Sequence, residues 1–176
     1  MAGAFPISTA QFTSLGIKSI QNTIISKSVS GKKLARQIDG QRWAFTIQII
    51  TAKRSDVYGE LMAFIVKQRS GKENFTIVPP EITDARGTAS GTPNGTASAG
   101  ATSITLAGTG TGTLKAGDFI KFASHDKIYM VVADQSDIST GTLTIEPPLT
   151  TAVSSSDITY DNVPFTVYLT NDIQEF

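Results

Sequence analysis

"LKAGDFIKFASHDKIYMVVADQSD", residues Leu114 to Asp137, opens on a Gly-Asp turn at Gly117-Asp118. An alternating strand follows over residues 119–123, then a polar tip, Ser124-His125-Asp126-Lys127, and an apolar return strand over residues 128–133. Side chains alternate between faces along a strand, so this pattern buries one face of a hairpin and leaves its tip in water. Flanking segments repeat the theme. "TSITLAG" puts Ile104 and Leu106 on one face, and "GTLTIEPPL" does the same with Leu143 and Ile145. Short strands at close spacing with turn signals between them predict a small barrel or sandwich.

The N-terminal region carries a longer β pattern. Ser30-Gly31 and Asp39-Gly40 both read as turns. After the second, Trp43, Phe45, Ile47 and Ile49 alternate with smaller or polar residues, which places four large side chains on one sheet face. The period then changes. Val57, Leu61, Phe64 and Gln68 lie one helical turn apart, with Ile65 widening the stripe, and predict an amphipathic helix over about residues 55–69. Ser55 or Asp56 is the expected N-cap and Gly71 the stop, with Gly59 a cost in the helix interior. "ENFTIVPPEI" reads as a short strand that the proline pair ends. The Gly/Thr/Ser/Ala-rich stretch from Arg86 reads as an exposed linker up to about Gly100. "VPFTVYLTND" closes the chain with an apolar row at Val163, Phe165, Val167 and Leu169.

The fold class expected is mainly β: a β-sandwich-like domain with one α-helix, plus an inserted small β-barrel. Residues 1–84 and 160–176 make the first domain, and residues 85–159 the insertion.

Composition narrows the chemistry. With 176 residues, 40% hydrophobic and 17% charged, the chain supports a packed core rather than wholesale disorder. Formal net charge is zero, which argues against general nucleic-acid binding. Residues 1–86 hold twelve Lys/Arg against six Asp/Glu, and residues 87–176 three against nine, so a basic half of one copy can attract the acidic half of another. There is no cysteine, which removes thiol nucleophiles, disulfides and thiolate metal sites together. No secretory signal pattern and no apolar run of membrane-spanning length is legible, so the expectation is a protein assembled in a cytoplasm without membrane insertion.

Catalytic candidates are few. His125, flanked by Ser124 and Asp126, superficially suggests a triad, but neighbours in one turn cannot act as nucleophile, base and orienting acid; it is expected to be a solvated turn residue. Gly-Lys pairs occur without the rest of a phosphate-binding loop. Asp118, Asp126, Asp134 and Asp137 match no calcium-loop spacing and read as solvated turn carboxylates. No catalytic, cofactor or metal residue is assigned. The cations Lys32, Lys33, Arg36 and Arg42 lie in the basic hairpin over residues 27–42 and are the candidate subunit interface.

Two long stretches carry a family resemblance. "SVSGKKLARQIDGQRWAFTIQIITAKRSDVYGELMAFIVKQRSGKENFTIVPP" resembles minor tail proteins of tailed bacteriophages: a basic hairpin, a Trp-bearing strand, a helix, a Gly turn and a strand ending in proline. "SAGATSITLAGTGTGTLKAGDFIKFASHDKIYMVVADQ…GTLTIEPPL" resembles a β-module of phage virion proteins. Together they are similar to distal tail proteins. That resemblance implies a non-enzymatic virion protein without cofactor, at the distal end of the tail, forming a ring, hexameric in the family, between the tail tube and the tail tip or baseplate. Its implied partners are its own copies, the tail tube protein and the tip or baseplate hub protein, with no nucleic-acid sequence recognition. It also implies an outer domain, in some members a small barrel of the oligosaccharide/oligonucleotide-binding type. Three other readings are set beside it. A glycan-binding accessory module requires exposed aromatics, and residues 85–159 offer Phe119, Phe122 and Tyr129. A head–tail joining or tail-terminator ring shares the structural class. A cell-wall hydrolase requires paired carboxylates such as Asp118 and Asp126.

Overall fold

The computed structural model describes residues 3–6, 12–49, 58–80 and 82–171, apart from the side chain of Asp39. Among the described residues the chain is mainly β, with one helix and a closed six-stranded barrel. It divides into two compact units, residues 10–51 and the remainder.

The smaller unit is one antiparallel hairpin of β1 (Phe12–Lys27) and β2 (Lys33–Ile49). Its turn is built at Ser28 to Lys32, where Gly31 N–H donates to Ser28 O (2.9 Å) and Ser28 N–H to Lys32 O (3.0 Å). The second expected turn does not exist. Asp39-Gly40 lies inside β2, where the register passes from Ile20↔Arg42 to Asn22↔Ile38. Residue 21 thus faces three residues, 39–41, and Gly40 takes up the bulge at φ +106°. The Asp-Gly pair serves a bulge here because the strands on both sides of it continue pairing. The alternation of Trp43, Phe45, Ile47 and Ile49 holds: all four share one face and are half-buried.

The larger unit carries the expected helix, α1 (Gly59–Lys67), with Tyr58 before it already in helical backbone conformation at φ −64° and ψ −35°. Ser55, Asp56 and Val57 lie outside the described residues. Leu61 is buried, and the Phe64 ring meets Phe75 edge-on at 5.2 Å and Phe5 at 5.7 Å. That aromatic trio fixes the helix on β3 (Phe75–Ile77), which pairs with β10 (Phe165–Val167).

Between β3 and β10 the chain makes the barrel. Strands β4 (Pro93–Ala97), β5 (Ser103–Gly108), β6 (Phe119–Phe122), β7 (Ile128–Val131), β8 (Thr142–Glu146) and β9 (Val153–Thr159) close in the order β4-β5-β8-β7-β6-β9, each neighbouring pair antiparallel. The expected rows, Ile104 with Leu106 and Leu143 with Ile145, point inward, and Ile120, Phe122, Tyr129 and Val131 join them in one buried core. Fully burying an aliphatic or aromatic side chain contributes about 1.5–3 kcal/mol, so this core dominates the module's stability.

Residues 86–100 are not a linker. The stretch supplies β4, and before it a tight crossing over residues 87–90 and 111–114. There Thr88 N–H donates to Thr113 Oγ1 (3.1 Å) and Thr113 N–H to Thr88 Oγ1 (3.2 Å). A Cβ on Gly87 would sit 1.9 Å from Thr113 O, and one on Gly112 would sit 2.1 Å from Thr88 O. Glycine and threonine are therefore abundant because two backbones touch and hydroxyls satisfy them. Strand β9 was not anticipated from the sequence; only Val153, Ser156 and Ile158 of its seven residues are buried.

The module's two ends are clasped. Ala85 N–H donates to Asp161 Oδ1 (3.0 Å), Asn162 N–H to Asp84 Oδ1 (2.9 Å) and Val163 N–H to Thr83 O (3.3 Å). Just beyond, Phe119 on β6 meets Phe165 on β10 edge-on at 5.4 Å.

Candidate functional site

Four polar features were singled out by residue type, and the structure separates them. Asp118 is not a solvated turn carboxylate; its side chain is fully buried. Its Oδ1 accepts from the Arg86 backbone N–H (3.2 Å) and Arg86 Nε (3.1 Å), and its Oδ2 from Lys115 N–H (2.7 Å). Arg86 Nη2 also donates to Ala116 O. The carboxylate thus ties the module's entrance to the turn before β6. The other three acids do stand at the surface, each tied locally. Asp126 pairs with Lys121 (2.8 Å), Asp134 accepts from Ala116 N–H and Lys115 Nζ (both 2.9 Å), and Asp137 accepts from Ser139 N–H (2.8 Å). The backbone N–H of Ala116, then Lys115, holds the Asp134 carboxyl below the usual range; Ser139 does the same for Asp137. The series does not converge, and no group of three metal-ligating side chains is found among the described residues.

His125 is not simply solvated either. Its ring stacks on Phe122 at 5.8 Å, with Nε2 2.8 Å from the Tyr129 hydroxyl and Nδ1 3.0 Å from Ser124 Oγ. The Tyr129 oxygen also accepts from Thr150 N–H at 3.1 Å. Asp126 turns instead to Lys121, so no acid orients the imidazole as a triad needs. Burial against these rings lowers the His125 pKa below its ordinary 6.5; Asp126 opposes that shift and Lys121 adds to it. Lys127 and Tyr129 are the other titratable groups on this hairpin. The folded state therefore binds the proton more weakly than the unfolded chain, and stability rises with pH across the window below 6.5. Thermal melts should show the protein losing stability as pH falls from about 6.5 to 5, where His125 alone titrates at its ordinary pKa. His125→Gln should flatten that slope; an unchanged slope would assign it elsewhere.

The aromatics that a sugar groove would use are committed to packing: Phe119, Phe122 and Tyr129 are all buried.

The candidate interface residues lie together on the smaller unit. Lys32 is in the hairpin turn, Lys33 faces Lys27, Arg36 faces Ile24 and Arg42 faces Ile20, and all four candidates are exposed. Sequence reasoning picked these cations and overlooked their apolar neighbours. Ile24 (57% exposed), Ile25 (55%), Leu34 (53%) and Ile38 (44%) stand in water on the same arm. The β-favouring runs "NTIIS" and "KKLARQI" carried that signal, but a sequence does not say which strands remain uncovered.

The fold and surfaces thus define a β-structural protein with a barrel module and a basic, partly apolar arm. Residues 82–163 match the family model described as distal tail protein pb9, B domain. The matched span covers the barrel and its clasp. It supports a phage distal tail protein, as the sequence resemblance implied, and with it a structural, virion role in the phage tail. No curated protein matches the chain.

Proposed function

We propose that the protein forms a ring at the distal end of a phage tail, joining the tube to the tip or baseplate. Residues 1–84 and 160–176 make the ring-forming part, and the barrel of residues 85–159 is peripheral. Its partners are its own copies, six in a ring as in the family it resembles, together with the tail tube protein and the tip or baseplate hub. Assembly takes place in the host cytoplasm. The observation that carries this reading is the arm. A two-stranded hairpin is marginal in water on its own, and this one leaves Ile24, Ile25, Val29, Leu34 and Ile38 exposed beside Lys32, Lys33 and Arg36. Covering them against a neighbour removes that cost, while exposed ion pairs, at about 0–1 kcal/mol each, set register rather than adhesion.

Deleting Lys32 to Arg36 should leave a folded subunit, with an unchanged barrel melt, that no longer forms rings in negative-stain electron microscopy. Normal rings from that variant would remove the arm from the interface.

A further inference from the structure

We infer that the arm of one copy lies on the barrel of a second copy, across the outer face of strands β8, β5, β4 and β9, with Glu146 and Asp157 meeting its cations. This rests on the self-assembling reading above and adds where the arm is seated. Charge divides along the same line as the two units. Residues 10–51 hold six Lys/Arg against the single Asp39, a net of +5; the rest holds nine against fourteen, a net of −5, matching the totals of 15 and 15. Among the described residues no arm cation makes an ion pair. The barrel is different: Arg86, Lys115 and Lys121 are already spent on Asp118, Asp134 and Asp126. What remains of its charge is Lys127 against Asp137, Glu146 and Asp157, a net of −2.

That surplus has a location. Ile145 and Ile158 point into the core, so by alternation Glu146 on β8 and Asp157 on β9 point outward, and both are exposed. Between them run β5 and β4, joined through the paired positions Thr142↔Thr105 and Thr105↔Thr96. None of the four strands contains a Lys or Arg. The arm presents the complement. Paired residues share a face, so Ile24, Leu34 and Ile38 surround Arg36 on one side, while Lys27 and Lys33 flank Ile25 and Ala35 on the other. Two sheet faces pack about 10 Å apart, a distance that threonine methyls and aliphatic arm residues can fill. Like charge would oppose the arm of one copy lying on the arm of another, and the barrel's four-strand face offers the opposite sign.

The test is a charge exchange read by sedimentation equilibrium of the full chain at ~0.1 M salt, where screening is incomplete. One variant carries Glu146→Lys and Asp157→Lys, and another Lys33→Glu and Arg36→Glu. All four positions are exposed, and circular dichroism and the barrel melt verify folding. Each variant alone should self-associate about tenfold or more weakly than wild type, and an equimolar mixture of the two should regain association. If wild type assembles and the Glu146/Asp157 variant matches it, the arm sits elsewhere on the neighbour; the seating is then overturned while the ring reading stands. Loss in both variants without recovery in the mixture also overturns it. A monomeric wild type whose arm becomes protease-resistant only on a tube or hub protein would overturn the ring reading itself.

Discussion

An Asp118→Ala variant is expected to lose about 3 kcal/mol of stability in chemical denaturation, the largest effect of any turn aspartate in the barrel. The wild-type carboxylate is fully buried and accepts three hydrogen bonds, two of them from backbone N–H groups that lose this acceptor once it is gone. Removing one partner of a buried charge pair typically costs ~3–5 kcal/mol. The Arg86 side chain is 62% exposed and can rehydrate, which places the cost at the lower end. Asp118→Asn should fall between, since its amide keeps one acceptor oxygen but turns a donor toward Lys115 N–H. Asp134→Ala, at an exposed position where water can replace its partners, should cost far less. If Asp118→Ala and Asp134→Ala proved equal, the buried clasp would be wrong.

Gly95→Val should be comparably severe. A Cβ at Gly95 would lie 2.7 Å from Ile104 Cγ2 and 2.9 Å from Phe122 Cε1, both in the barrel core. Overpacking of this kind costs about 1–3 kcal/mol and sometimes more, and valine adds branches beyond the first atom. For a module of this size that corresponds to a melting temperature lowered by more than about 10 °C. Thr105→Val, on an outward position of the paired strand, should shift it by only a degree or two. A Gly95→Val melt within that range would show that β4 does not close the barrel against those side chains.

These two positions also mark where the sequence stopped being informative. Rows such as Ile104–Leu106 and Leu143–Ile145 were legible because burial of one strand face demands apolar residues at every second position. Strand β4 escaped because its core positions are Pro93 and Gly95: the interior beside Phe122 and Ile104 is already full, so the inward residue must be small, and small residues read as linker. Strand β9 escaped for a related reason, with Ser156 at an inward position where a hydrophobic residue was expected. Asp39-Gly40 looked like a turn because bulges and turns ask for the same backbone freedom, and only the register of β1 distinguishes them. Asp118 and His125 were misread as solvated because their partners, Arg86 and Tyr129, come from tertiary or cross-hairpin geometry that local composition does not encode. On the arm, the cations were visible as a cluster, whereas the exposure of Ile24 and Leu34 depends on the absence of a covering layer over a two-stranded sheet.

The proposed role depends on copies closing on one another. Native mass spectrometry of the purified full chain tests that most directly. A single closed oligomer, a small integer multiple of 18.7 kDa that persists on dilution, is the predicted result. A monomer that remains the sole species at high concentration, with Ile24, Leu34 and Ile38 still accessible to solvent labelling, would contradict it.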